Sequence, residues 1–148
     1  MAAYPETHPQ AISADEDLEN LRRKVDSGSR RAITQFFFDN EIFLRFRDRL
    51  AAAQINVELI PGILPVTNFN TLTQFAGACG ASIPQCFSKL FEGLDEDPTT
   101  RQLIAAHAAV SQAEHLGREG VDDFHFYTLN RADLSFAVCH ALGVRGST

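Results

Sequence analysis

A short, continuous apolar run at Ala32–Phe38 limits the possible fold of this chain more than any other feature. The run is too short and too apolar for an amphipathic surface helix, and it is typical of a parallel strand covered on both faces. Helical patterns flank it on both sides. The first begins at a capping signal on Ser13 and ends at Gly28, and the second covers about residues 40–53 with Asn40 as its cap. The sequence therefore predicts a buried strand between two helices.

The alternation of strand and helix continues along the rest of the chain. Strand patterns cover residues 56–64 and 123–129, and helical patterns cover about residues 68–78, 100–118 and 131–142, with Asn68 and Asn130 as caps of the first and last. The segment 81–94 is ambiguous, because Ala81–Ile83 is only a doubtful fourth strand and Pro84 can begin a short helix. Such alternation predicts an α/β fold of parallel strands joined by right-handed crossovers, in a single domain at 1–148.

Motifs and chain length restrict which α/β architecture is possible. Neither GxGxxG nor GxxxxGK[ST] occurs, so the nucleotide fingerprints of open doubly wound sheets are absent. A closed eight-stranded barrel needs about 250 residues, whereas this chain has 148. The chain can supply only about half of such a barrel.

Charge and cysteine content exclude several functional classes. Thirteen Lys and Arg residues against 19 Asp and Glu residues give a net charge of −6, so no overall positive field favours nucleic acid or an anionic membrane. No apolar run reaches the roughly 18 residues of a membrane-spanning helix. Cys79, Cys86 and Cys139 form no CxxC pair, which disfavours a disulfide framework and a zinc site. We expect a cytoplasmic protein without a metal.

Polar residues near the start of the chain are the first candidates for a binding site. The segment Tyr4–Pro9 places Tyr4 and His8 on a backbone stiffened by two prolines, where they could face a ligand, although a frayed terminal segment is the simpler alternative. A polar stripe on the first helix is formed by Asp17, Asn20, Arg23 and Lys24. This stripe could hold phosphates and ribose, or it could be an ordinary solvated face.

Gln35 is an amide inside an otherwise apolar strand. It must find hydrogen-bond partners or cost about 1 to 3 kcal/mol. Period-two alternation places Ile33, Gln35 and Phe37 on one face, so in a barrel the amide would point into the lumen. A structural amide satisfied within the protein is an equally good explanation.

The last predicted strand carries a second polar face. His125, Tyr127 and Leu129 share one face by period-two alternation, and Arg131 opens the following helix near the carboxyl end of the strand, so Tyr127 and Arg131 could face the same mouth. His125 alone is more simply explained as a hydrogen-bonded core histidine. Phe75, on a predicted helix, is likewise more simply explained as core.

Five segments, taken in order, closely resemble the 5,10-methylenetetrahydrofolate reductase family: Tyr4–Pro9, Leu21–Asp26, Arg31–Phe38, Ile60–Val66 and Phe124–Arg131. The resemblance covers nearly the whole chain. It implies a TIM-type (β/α) barrel, of which this chain is the carboxyl-terminal half, with strands five to eight and their helices. It also implies reduction of 5,10-methylenetetrahydrofolate to 5-methyltetrahydrofolate, with FAD as cofactor and NAD(P)H as hydride source.

The same resemblance assigns roles to individual residues. The cofactor FAD is expected at Tyr4, His8, Ala11, Asp17, Asn20, Arg23 and Lys24. The folate is expected at Gln35, Thr71, Phe75, Tyr127 and Arg131, with Gln35 bonding the pterin and Phe75 stacking on the nicotinamide or the folate. Thr71 stands where the family commonly has a longer glutamine, so its reach is shorter.

The resemblance places the family's proton-donating glutamate and flavin-tuning aspartate in the other half of the barrel, so no catalytic residue is expected in this chain. An open half-barrel would expose unpaired strand edges and an apolar lumen. We therefore expect pairing with the missing half or homo-oligomerisation. The alternative is a non-catalytic flavin- or folate-binding fragment or assembly partner.

Overall fold

The computed structural model describes residues 1–146 and contains one parallel, four-stranded sheet in the order β1-β2-β3-β4. The strands are β1 (Ala2–Ala3), β2 (Arg31–Phe36), β3 (Glu58–Ile63) and β4 (His125–Phe126). The helices are α1 (Ala14–Asp26), α2 (Asn40–Ala52), α3 (Phe69–Cys79), α4 (Gln85–Lys89), α5 (Pro98–Arg118) and α6 (Ala132–Ala141). Because each pair of neighbouring strands is parallel and is joined through at least one helix, the predicted α/β class is confirmed.

The identity of the fourth strand differs from the sequence prediction. Ala81–Ile83 is not a strand. The additional strand is instead β1, in which Ala2 pairs with Ile33. The predicted strand at 123–129 is also too long, because β4 ends at Phe126 and Leu129 has a left-handed backbone with φ 47°. Leu129 therefore does not share a strand face with His125.

Side-chain caps explain where the helices begin. The Ser13 and Asn68 side chains accept from backbone N–H groups of the first turns of α1 and α3, as predicted. The cap of α2 is Asp39, and Asn40 is the first helical residue. Asn130 does not cap α6, because its φ is 62° and the cap position is occupied by Arg131 without a side-chain bond.

A β-bulge in β2 changes which face each residue occupies. The register shifts between Ile33 and Phe36, which pair with Ile60 and Gly62 of β3. As a result Phe37 packs under the helices, stacked on Phe43 at 5.4 Å between ring centroids. The expectation that Phe37 shares a face with Ile33 and Gln35 is wrong, since the extra residue resets the alternation.

The helices cover one face of the sheet and leave the other face largely open. Buried Ile63 of β3 packs against small residues of α5, Ala109 and Ala113, which let that helix approach the sheet closely. Gln35, His125 and Tyr127 remain only half-buried. Within residues 1–146, no helix has the length and apolar character needed to span a bilayer, and no group of three or more His, Cys, Asp or Glu side chains has a metal-binding arrangement.

Candidate functional site

A groove lies between the amino-terminal loop and α1, and its volume is about 510 Å³. We call it the α1 groove; it is lined by Ala2, Ala3, Tyr4, His8, Asp17, Asn20, Leu21, Arg23, Lys24 and Phe46. Its floor is apolar, because Leu21 and Phe46 belong to the core beneath it. Its wall is polar and includes two cations. A groove of this composition can bind an anionic ligand that has an apolar part.

The polar stripe of α1 comes from helical spacing. Asp17, Asn20 and Lys24 lie three and four residues apart and therefore on one side of the helix, while Leu21 faces the core. The Arg23 guanidinium donates to the Asn20 side-chain amide oxygen at 3.4 Å and lies 3.9 Å from the Glu19 carboxylate, and both contacts are exposed. Such exposed contacts are weak, so Arg23 can turn toward an anion at little cost.

The loop before α1 is tied down, so the interpretation of Tyr4–Pro9 as a frayed segment is wrong. The His8 backbone N–H donates to the Asp17 carboxylate at 2.7 Å, and the Tyr4 and His8 rings meet edge to face at 4.4 Å. Ala11 donates its N–H to the His8 carbonyl at 2.9 Å but does not line the α1 groove. Of the seven residues predicted for FAD, the groove brings together all except Ala11.

A second cavity of about 330 Å³ lies at the carboxyl ends of the strands, beside α3. We call it the α3 cavity; it is lined by Leu64, Pro65, Val66, Thr67, Asn68, Thr71, Leu72, Phe75, Leu129 and Arg131. It brings together three of the five residues predicted for folate, namely Thr71, Phe75 and Arg131. The Phe75 ring stacks on Phe36 with 5.5 Å between ring centroids, and the residue is 42% exposed. One face of the ring therefore packs against the core, and the rest of the ring remains accessible.

Tyr127 does not line the α3 cavity but crosses the open face of the sheet. Its hydroxyl donates to the Thr34 backbone carbonyl at 2.9 Å, and burial raises the pKa of the phenol. The ring passes over Gly62, where an added Cβ would lie 2.6 Å from Tyr127 Cε2 and 2.3 Å from the Thr34 carbonyl oxygen. Glycine at position 62 therefore lets β2 and the Tyr127 ring approach β3 closely.

Gln35 is separated from both cavities. It lines a small space of about 10 Å³ together with Tyr4, and its amide oxygen accepts from the Phe36 N–H at 3.1 Å. Gln35 and Lys24 therefore line no common cavity. Tyr4, however, lines both the α1 groove and the small space beside Gln35, so the two regions meet at that ring.

Two structural residues of this region were missed in the sequence. Glu6 accepts two hydrogen bonds from Ser82, and Thr34 is fully buried with its hydroxyl accepting from the Gly62 N–H at 2.9 Å. The sequence contained a partial signal for Thr34, since a polar residue inside an apolar strand requires a hydrogen-bond partner. No local signal links Glu6 with a residue 76 positions away.

The chain is similar in sequence to several known proteins. The family model described as methylenetetrahydrofolate reductase matches residues 1–143. The chain is 60% identical over 145 residues to 5,10-methylenetetrahydrofolate reductase of Salmonella typhimurium and 59% identical to that of Escherichia coli, covering 98% of this chain and 49% of each relative. It is 31% identical to methylenetetrahydrofolate reductase (NADH) 1 of Arabidopsis thaliana, covering 97% of this chain and 26% of that protein.

A solved structure shares the fold at low sequence identity. It is an uncharacterized protein from Clostridium thermocellum that binds two copies of 5-methyl-5,6,7,8-tetrahydrofolic acid, with a TM-score of 0.55, 15% identity, and coverage of 95% of this chain and 50% of that chain. The chain thus spans about half the length of the bacterial relatives and of this structure.

Proposed function

The chain belongs to the methylenetetrahydrofolate reductase family, and on that premise we propose that it is the FAD- and folate-binding part of an enzyme that reduces 5,10-methylenetetrahydrofolate to 5-methyltetrahydrofolate with NAD(P)H. FAD, when bound, would accept a hydride from the reduced nicotinamide and deliver it to the methylene carbon. The chain's own residues bind and orient the two partners of that transfer.

The convergence of six residues on the α1 groove carries the proposal. Asn20, Arg23 and Lys24 supply an amide and two cations to one wall, which fits the ribityl and diphosphate groups of FAD. Tyr4 and His8 supply aromatic surface at the other wall. Asp17 is engaged by the His8 N–H and fixes the loop, so its contribution to the cofactor is mainly to hold the wall in place. The volume lies within the range of about 300–1,000 Å³ of small-molecule sites.

The α3 cavity is the corresponding site for the folate. Phe75 offers an exposed aromatic ring that a pterin or a nicotinamide can stack on, and Arg131 offers a cation for a carboxylate. Gln35 and Tyr127 are half-buried and line neither cavity, and we assign both to the pterin where it extends toward the flavin. The family of the chain and the folate bound by a protein of the same fold support a folate as the ligand.

We further propose that the chain forms strands five to eight of a TIM-type barrel and pairs with the other half. Both outer strands, β1 and β4, have one unpaired edge in this sheet, and the relatives are about twice as long as this chain. Co-expression with separate halves of the Salmonella relative tests the assignment. We expect a complex with the amino-terminal half and reductase activity only in that complex, whereas pairing with the carboxyl-terminal half would reverse the placement.

Flavin titration tests the α1 groove directly. The chain, alone and paired with the amino-terminal half, is titrated with FAD while flavin fluorescence is followed. We expect R23A/K24A to weaken binding at least tenfold, because two charge-assisted contacts to the diphosphate are lost. R118A, which removes an exposed cation of α5, is the matched control and should leave the affinity unchanged. Equal affinities for all three proteins would refute the assignment of this groove.

A non-catalytic role is the second candidate, and the placement of two residues expected to bind the folate favours it. Gln35 lines neither the α1 groove nor the α3 cavity, and the Tyr127 hydroxyl already donates to the Thr34 carbonyl. A chain that binds FAD or folate but whose complexes never reduce methylenetetrahydrofolate would support a binding fragment or assembly partner. Gel filtration of the isolated chain distinguishes a homo-oligomer from a monomer.

A further inference from the structure

The amino-terminal loop contacts α3 as well as α1. The Glu6 carboxylate accepts from the Ser82 backbone N–H and from the Ser82 hydroxyl, both at 2.7 Å. Close by, Gly80 ends α3 with φ 71°, and the Pro9 ring and the Thr7 carbonyl lie 3.0 and 3.2 Å from where its Cβ would be. The loop is therefore fastened to the carboxyl end of the helix that carries Thr71 and Phe75.

The same loop forms one wall of the α1 groove. Tyr4 and His8, two residues on either side of Glu6, both line that groove. The His8 N–H is fixed by Asp17 of α1, and the Ile12 N–H donates to Glu16 at 2.8 Å. The loop at residues 4–13 thus extends from the groove wall to the end of α3, and Glu6 attaches it on the α3 side.

We infer that Glu6 is a positioning residue, which holds Tyr4 and His8 at the α1 groove in a fixed relation to α3 through its contact with Ser82. The inference rests on the proposed function, because it assigns Glu6 to the binding of the flavin at that groove. Each of the two Glu6 carboxylate oxygens accepts from one Ser82 donor, so the contact holds the loop at two points. Hydrogen bonds to a carboxylate are also about twice as strong as neutral ones.

Binding of FAD separates this role from a merely stabilising one. E6A removes the contact, E6Q keeps an acceptor for the Ser82 N–H, and S82A removes only the hydroxyl donor. We expect FAD to bind about tenfold more weakly to E6A and less than threefold more weakly to E6Q, because a free loop must be ordered when the cofactor binds. E114A, on the exposed face of α5, is the matched control. In the E6A/S82A double variant the loss should equal that of E6A alone.

Amide hydrogen exchange gives a second readout that needs no ligand. We expect E6A to accelerate exchange of the His8 N–H, which lies two residues from the mutation and donates to Asp17, while the urea midpoint stays near that of E114A. FAD affinity of E6A within twofold of the wild type would overturn the inference. If the wild type binds no FAD, the proposed cofactor role fails, and hydrogen exchange of the His8 amide then tests the positioning role by itself. Unchanged protection of that amide in E6A would show that Glu6 does not position the loop.

Discussion

The substitution G62A tests the packing that holds the open sheet together. An added methyl group at Gly62 would lie 2.3 Å from the Thr34 carbonyl oxygen and 2.6 Å from Tyr127 Cε2, roughly 1 Å too close in each case. Gly62 pairs with Phe36 on one side and His125 on the other, so β3 cannot move away from one neighbour without meeting the other. The methyl group must therefore displace Tyr127 and strain the backbone of β2.

The expected cost follows from these contacts. Forcing one methyl group into a packed site costs typically about 1–3 kcal/mol, and displacing the Tyr127 hydroxyl from the Thr34 carbonyl adds about 1 kcal/mol. We expect G62A to lower the free energy of unfolding by about 3 kcal/mol in urea denaturation followed by circular dichroism. This is a large part of the roughly 5–15 kcal/mol that stabilises a typical domain.

Gly77 provides a matched control with the opposite expected sign. It lies exposed in α3, and nothing is within 4 Å of the position of an added Cβ. G77A should raise stability by up to about 1 kcal/mol, because alanine is the better helix former. If G62A unfolds within 0.5 kcal/mol of the wild type, a limit well below the roughly 1 kcal/mol of one overpacked methyl group, the close approach of β2, β3 and Tyr127 does not exist as described.

Three further predictions concern single contacts. Y127F should lower the free energy of unfolding by about 1 kcal/mol, because the hydrogen bond to Thr34 is lost. In a Y4F background, where Tyr127 is the remaining tyrosine, ultraviolet titration should give a pKa above the ordinary value. Stability should fall as pH rises past about 10, because Tyr127 loses its proton more readily in the unfolded chain than in the folded one. A normal phenol titration would contradict the burial of this ring. The hydrogen bond from Arg31 lowers the pKa of Glu58, so the ion pair stabilises the fold above the ordinary glutamate pKa and this stabilisation is lost as pH falls through the lowered value. E58Q should remove that part of the dependence of the unfolding free energy on acid pH. The same pH dependence in E58Q and the wild type would exclude the ion pair. N68A should cost about 1 kcal/mol through the lost α3 cap, as measured by thermal unfolding, and no change would show that the cap is not formed in solution.

The sequence was sufficient for elements that have a clear period or a cap. Most helices and the two long strands were predicted within a few residues, because their apolar spacing reflects burial directly. β1 was missed, since a strand of two residues has no period and is defined only by its pairing with β2. Asp39 and Asn40 are both good caps, and only the backbone angles select Asp39.

The candidate site was predictable in the same uneven way. The stripe on α1 follows from helical geometry, and the α1 groove contains all four of its residues. Arg131 and Phe75 line the same cavity because of the tertiary structure, and only the family resemblance assigned both to one ligand. The hydrogen bonds between Glu6 and Ser82 join distant parts of the chain. The hydrogen bond from the Tyr127 hydroxyl to the Thr34 carbonyl of β2 depends on how closely the strands pack. Local patterns carry no information on either contact.

The bulge in β2 has a consequence for how the gene can vary. Loss of one codon within 33–36 would restore simple alternation and turn Phe37 away from Phe43, so that an aromatic ring would leave the layer beneath the helices. A codon lost from the exposed turn at 27–29 would shorten a connection without changing any face of the sheet. We expect deletion libraries to tolerate the second change far better than the first.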